Sequence, residues 1–223
     1  MRLIQKLLFA LAVCGFTASA ATASPAEPKN GIDYRTLAEV QNTDAGNKVE
    51  VTEFFSYNCP HCNVFEPVLA AWVKKNADKV VFRRVHVALL GGDAALQRTF
   101  LTLEALGLVE QNHMKLFDAV HQERMRISND DAVFAWAVKA GLDREKFIGA
   151  YRSFGLQSKV NRAQSAVQAY KIDSWPMIAV GGRYLTSPHV AGSGTPGLNE
   201  LQQQQAALQV VDHLVAKVKS EKK

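Results

Sequence analysis

Two cysteines three residues apart, Cys59 and Cys62, come shortly after the run Glu53-Phe54-Phe55-Ser56 and enclose a Pro-His pair. Residues 48 to 56 read as a strand, with Val49, Val51, Glu53 and Phe55 alternating against Glu50, Thr52 and Ser56. Tyr57 and Asn58 turn the chain. Pro60 lacks an N–H and has a φ suited to the first helical position, so Cys59 is predicted to be the N-cap and Cys62 to lie on the first turn. Residues three apart share a helix face, which lets the two sulfurs close a small disulfide ring.

The two thiols are not equivalent in such a frame. Cys59 stands where unpaired backbone N–H groups and the helix dipole favour an anion, and His61 can add positive charge or a hydrogen bond. Cys62, one turn in, is expected to be covered and to act as the resolving partner. A stabilised thiolate stabilises the dithiol, so the disulfide is readily given away and acts as an oxidant. The competing readings are a structural disulfide or half of a zinc site. Zinc needs about four ligands, and no second cysteine pair or His-x₃₋₅-His cluster accompanies the first, so no metal is expected.

The first strand carries a second chemical signal. Glu53 shares its face with Val49, Val51 and Phe55, and burial there is costly for a carboxylate unless it is partnered or protonated. Desolvation is expected to raise its pKa. It is either a proton acceptor for Cys62 or a satisfied ion pair, with Arg84 as the candidate partner.

Residues 1–23 have the form of a cleaved secretory signal: Arg2 and Lys6, an apolar stretch from Leu7 to Phe16, and small residues around Ala18–Ala23. The apolar core is too short to span a bilayer. Cys14 would leave with it; lipid attachment at Cys14 is the alternative. Secretion suits a disulfide donor, which needs an oxidising compartment. Of the 26 Lys and Arg, the signal removes two and no acid, leaving 24 against 21 acidic residues, a net charge of +3. With no basic patch interleaved with aromatics, nucleic acid is excluded as an expected partner.

Downstream, Ile32–Leu37 is predicted to be an edge strand and Val80–Leu90 a buried strand parallel to the first. Pro67 falls inside the helix that Cys59 begins and is expected to kink it. From 91 to 174 the chain is far longer than one crossover helix. Phe100, Leu103 and Leu106, then Met114, Phe117 and Val120, then Phe134, Val138 and Leu142 recur at helical spacing. Asn129-Asp130-Asp131 and Gly141 supply start and stop signals, and at least four helices are expected. Met177–Val180, Gly181-Gly182 and Arg183–Leu185 form a hairpin signal. Asn199–Lys219 is an amphipathic helix with Leu201, Leu208, Val211, Leu214, Val215 and Val218 facing the core, and Gln202–Gln205 is placed on the surface.

The motif Glu53-Phe54-Phe55-Ser56, two further residues, and Cys59-Pro60-His61-Cys62, followed by Phe65 and Glu66, resembles the DsbA family of periplasmic thiol:disulfide interchange proteins. That resemblance implies an α/β thioredoxin fold with an inserted all-helical domain, divided here as 24–90 and 175–223 for the thioredoxin part and 91–174 for the insert. It implies a low Cys59 pKa and an oxidising potential, a buried acid at Glu53, a kink at Pro67, and a match of Arg84 and Glu66 to charges near the site. In thioredoxin folds the proline opening the hairpin, here Pro176, is cis and packs against the disulfide, leaving the backbone of Trp175 free to pair with a substrate peptide. The family usually has a small or β-branched residue before that proline, and Trp175 departs from this at a position that tunes potential and partner release.

The expected function is a monomeric periplasmic oxidase that donates a Cys59–Cys62 disulfide to thiols of unfolded or folding secreted proteins through a mixed disulfide. No bound cofactor is expected; the family implies reoxidation by a membrane quinone-linked DsbB-like oxidase docking on an apolar surface beside Cys59. A reductase or isomerase on the same fold, and a chaperone-like peptide-binding module with a structural disulfide, are the alternatives. Isomerases usually add a dimerisation domain, for which the segment after the hairpin is too short.

Overall fold

The computed structural model describes residues 27–89 and 93–221. The signal segment, Cys14, Leu90 and Lys222–Lys223 lie outside them. A five-stranded sheet organises the chain, in the order β1-β5-β4-β2-β3. Its strands are β1 (Arg35–Thr36), β2 (Val49–Phe55), β3 (Val80–His86), β4 (Met177–Val180) and β5 (Tyr184–Thr186). β2 and β3 are parallel, with Glu53 opposite Arg84, while β2–β4, β4–β5 and β1–β5 are antiparallel.

β2 forms because its β-branched and aromatic residues can be buried on both faces, and all seven are. Val49 and Val51 pack with Leu69 and Trp72 of α1 (Pro60–Lys75) and with Val211 and Leu214 of α8 (Glu200–Glu221). Phe54 points the other way, onto Tyr170, Ile172, Met177 and Leu185. Glu50 and Thr52, expected on a polar side, are buried as well, and Arg83 pairs with Glu50 at 2.9 Å. A central strand has no solvent face, so alternation in its sequence marks two cores.

Five helices run between β3 and β4: α2 (Asp93–Ala105), α3 (Val109–His121), α4 (Asp130–Lys139), α5 (Arg144–Tyr151) and α6 (Phe154–Ala169). Phe100, Leu103, Leu116, Phe117, Phe134, Trp136 and Phe147 form their common core, each full burial worth roughly 1.5–3 kcal/mol. Phe55, Tyr57, Cys59 and Cys62 belong to that same cluster, so the cysteine pair sits where sheet and helical layer meet.

Several sequence expectations are corrected. Met114 and Val138 are exposed and not core, because each falls one position outside the stripe its helix buries. Leu201 is exposed too, while Gln204, within the run placed on the surface, is buried in α8. The first edge strand shrinks to Arg35–Thr36, the second buried strand stops at His86, and the hairpin returns through Tyr184–Thr186. A short helix, α7 (Pro188–Gly192), was not anticipated; Ser187 caps it, accepting from the Val190 N–H at 3.0 Å, and Pro188 opens it. Among the described residues no helix is long and apolar enough to cross a membrane.

Candidate active site

α1 begins as its sequence demands. Cys59 is the N-cap with extended backbone (φ −84°, ψ 115°), Pro60 occupies the first turn, and the Cys62 N–H donates to Cys59 Sγ at 3.2 Å. Cys62 has no exposed surface and Cys59 keeps 7% of its own, which leaves Cys59 as the reachable sulfur of the two. Both are free thiols. Pro67 lies inside α1.

The electrostatics separate them further. Cys59 is lowered from 9.0 to about 7, chiefly by the hydrogen bond from the Cys62 thiol, with the backbone N–H groups of Cys62 and His61 and the His61 charge adding to it against the cost of burial. Burial pushes Cys62 far up, and the Cys59 and Glu53 charges push it the same way. Cys59 Sγ also contacts the Trp175 carbonyl at 3.6 Å, the S–H donating. The Trp175–Pro176 bond is cis.

Glu53 on β2 is 1% exposed. Desolvation first, then repulsion from Glu66, raises it to about 8 against the opposing pull of Arg84. The Arg84 partner and the desolvation expected from the sequence are both present, and burial outweighs the pairing. The reason is geometric: Arg84 gives its short contact to Glu66 (2.5 Å), whereas its 3.4 Å approach to Glu53 leaves Glu53 Oε2 without a hydrogen bond.

His61 Nδ1 lies 2.7 Å from Glu200 Oε1 at the start of α8. That contact, ahead of the Coulombic pull of Glu200 and Cys59, raises the His61 pKa. His61, Trp175, Pro176, Pro188, Val190 and Gln203 help line a cleft of about 420 Å³ beside Cys59. A larger cleft, about 730 Å³, runs along β3 and the helices and is lined by Phe82, Arg84, Leu101 and Arg162. Neither cleft is lined by a cysteine, but the smaller one is lined by His61 and by Trp175, whose carbonyl Cys59 contacts.

A second ring of residues has no local signal in the sequence. Tyr57, two before Cys59, is held by three histidines. His86 Nε2 accepts from its N–H at 3.1 Å, His121 Nε2 donates to its carbonyl at 2.8 Å, and its hydroxyl meets His113 Nδ1 at 2.6 Å. His113 Nε2 faces Glu66 Oε2 at 3.3 Å. Neither Nε2 nor Oε2 completes a hydrogen bond at that distance, and a proton on Nε2 facing the carboxylate leaves Nδ1 to accept from the Tyr57 hydroxyl. Burial lowers both His86, to about 3, and His113, which keeps them neutral. Asp93 of α2 completes the ring, accepting from Ser56 Oγ at 3.3 Å and Asn58 Nδ2 at 2.6 Å. Among the described residues no cluster of His, Cys, Asp and Glu is arranged to hold a metal.

Residues 50–208 match the model of the DSBA-like thioredoxin domain. The chain belongs to this family. It is 37% identical over 205 residues to the thiol:disulfide interchange protein DsbA of Bordetella parapertussis, covering 92% of this chain and 93% of that one. To the DsbA of Burkholderia cepacia it is 36% identical over 222 residues, 99% of each chain. Among solved structures, the DsbA of Pseudomonas aeruginosa superposes with a TM-score of 0.79 at 28% identity, over 87% of this chain and 96% of that one. The fold is therefore the thioredoxin fold with a helical insertion, and the DsbA-like chain is a disulfide oxidoreductase.

Proposed function

We propose that this DsbA-like protein oxidises thiols of secreted proteins in the periplasm by donating a Cys59–Cys62 disulfide, following cleavage of a signal at residues 1–23. The observation that supports it most is the Cys59 sulfur at the mouth of α1, lowered to about 7 while Cys62 is pushed up. A pair so polarised is more comfortable as a dithiol than as a disulfide, which makes the disulfide an oxidant rather than a staple.

A client thiolate attacks Cys59 Sγ, the Cys59–Cys62 bond breaks, and its electron pair goes to Cys62 Sγ. Cys62 is buried and must take a proton. Glu53, raised to about 8 and so still protonated at neutral pH, is the donor, and it recovers a proton when Cys62 attacks during reoxidation. The second client thiolate then attacks the client sulfur of the mixed disulfide and expels Cys59 as a thiolate. Two electrons and two protons leave the client; both client protons pass to water, and the proton on Cys62 is the one Glu53 gave up.

The backbone at Trp175, whose carbonyl already meets Cys59, offers main-chain pairing to a client, and Pro176 with the cleft beside His61 would receive its side chains. A relative from Proteus mirabilis, a DsbA variant 26% identical with a TM-score of 0.73, has been solved with a non-covalently bound peptide, PWATCDS. No cofactor is called for; a DsbB-like membrane oxidase would restore the disulfide, and the chain would act as a monomer, its helical insert between residues 91 and 174 walling the site.

Redox equilibration of the protein against glutathione tests this reading. An oxidase comes to equilibrium largely reduced in buffers that leave ordinary structural disulfides oxidised. Equilibration at the potential of a reductase, or retention of disulfide donation after Cys59→Ser, would overturn it.

A further inference from the structure

His61 is a source of positive charge for Cys59, yet its side chain is 71% exposed, and among the described residues no side-chain hydrogen bond within α1 holds it. An unrestrained imidazole at N2 of a helix would spend much of its time in rotamers directed at water. Instead its Nδ1 sits 2.7 Å from Glu200 Oε1, a contact between residues 139 apart in sequence.

Glu200 is itself presented from a fixed point. α8 starts with a reciprocal cap in which the Gln202 N–H donates to Asn199 Oδ1 and the Asn199 N–H donates to Gln202 Oε1, both at 2.9 Å. Gln203 Nε2 donates to the Leu198 carbonyl at 3.3 Å and so ties the preceding loop to the same turn. The 22-residue helix behind them is anchored in the core by Val210, Val211 and Leu214. A carboxylate in the first turn of α8 is also favoured by that helix's own free N–H groups.

We propose that Glu200 is a positioning residue for disulfide donation: by accepting the Nδ1–H of His61 it holds a cationic imidazole at the mouth of α1, beside the Cys59 thiolate. This rests on the oxidase reading above and deepens it. The three groups then alternate in charge, carboxylate, imidazolium and thiolate, so the cation is stabilised from both sides. The raised pKa of His61, with Glu200 its first cause and Cys59 a further one, agrees with that order. The groups facing His61 are Glu200 from α8, Cys59 from the turn before α1, and His189 of α7 across the shared cleft. At 71% and 44% exposure the pair is screened by solvent, so its effect is modest and depends on salt.

The test compares reduced wild-type protein with Glu200→Gln and Glu200→Asp. The Cys59 thiolate is followed by ultraviolet absorbance, the His61 ring by NMR titration, and the redox equilibrium against glutathione. Glu200→Gln is expected to lower the His61 pKa, raise that of Cys59, and weaken the protein as an oxidant about two- to fivefold, since an exposed pair is worth up to about 1 kcal/mol. Glu200→Asp should restore most of the difference. High salt should reproduce it in the wild type, and Glu200→Gln should add nothing to a His61→Ala variant. Glu200→Gln leaving both titrations unchanged would overturn the proposal, as would an equal shift in the His61→Ala background. In either of those cases a wild-type Cys59 that still titrates near 7 keeps the oxidase reading standing. A wild-type Cys59 that ionises like free cysteine removes both.

Discussion

At the scale of single residues, Cys59 and Glu53 are displaced in opposite directions by different causes. Cys59 is lowered because the thiolate is hydrogen-bonded, and Glu53 is raised because its carboxylate is desolvated. Iodoacetamide should therefore modify reduced Cys59 with a midpoint near pH 7, while Cys62 stays unreactive in the folded protein. The same shift is a stability statement. A thiol whose folded pKa is depressed contributes stability that is present above the unfolded value and lost as pH falls through the folded one. The reduced protein should accordingly gain about 2–3 kcal/mol relative to the oxidised form between roughly pH 7 and 9, measurable as a divergence of their denaturation midpoints. Glu53 has the reverse sign: its protonated form is favoured by folding, so its contribution is fully present below the unfolded value and lost as pH rises through about 8. Glu53→Gln should therefore gain stability relative to the wild type as pH rises from about 4.5 to 8, yet slow mixed-disulfide formation tenfold or more in stopped-flow measurements, because the amide cannot give a proton to Cys62. Unchanged rates of mixed-disulfide formation would remove Glu53 from the mechanism.

Elements deliver these residues through local rules. α1 places Cys59 at its cap because Pro60 can only begin a helix there, and the paired β2 and β3 bring Arg84 opposite Glu53 by register alone. The turn between β4 and β5 shows how little freedom the supporting frame has. Gly181 and Gly182 both have positive φ, +61° and +66°, and a Cβ at Gly182 would meet the Gln41 carbonyl oxygen at 2.1 Å. The Gly182 carbonyl also accepts from the Gln41 N–H at 2.8 Å. Gly182→Ala should therefore cost about 2 kcal/mol or more in chemical denaturation, combining backbone strain with a displaced segment at the sheet edge. Because that turn lies at the end of the hairpin away from Pro176, the Cys59 titration should be preserved in the folded fraction.

Across the whole molecule, the helical layer grips the turn that precedes Cys59. His113 and His121 from α3 and Asp93 from α2 reach Tyr57, Ser56 and Asn58, so the helices between β3 and β4 wall the cysteine pair as well as cover the sheet. Tyr57→Phe leaves the buried Nδ1 of His113 without its donor, and should destabilise the protein by about 1–3 kcal/mol. His113→Leu should do the same through Tyr57 and Glu66. Since the two share one hydrogen bond, the double variant should be less destabilised than the sum of the singles by about 0.5–3 kcal/mol; strict additivity would show the contact carries nothing.

The cysteine pair, its asymmetry, the cis-proline hairpin and the run of insert helices were legible in the sequence, the first two from local geometry and the hairpin's proline by family likeness. An N-cap, a proline at N1 and a two-glycine turn act over a few residues, so their consequences are written in adjacent letters. Apart from the Arg84 partner of Glu53, what the sequence left open was the contacts closed over long loops. His113 meets Tyr57 from 56 residues away and Glu200 meets His61 from 139, and neither pairing has a local signal. Met114, Val138 and Leu201 fit a helical stripe equally well, and only the packing of neighbouring helices decided that they face water. Local residues alone determined which sulfur is favoured as an anion; tertiary structure decided which charges surround it, because burial and distance, which set those energies, exist only once the chain has closed.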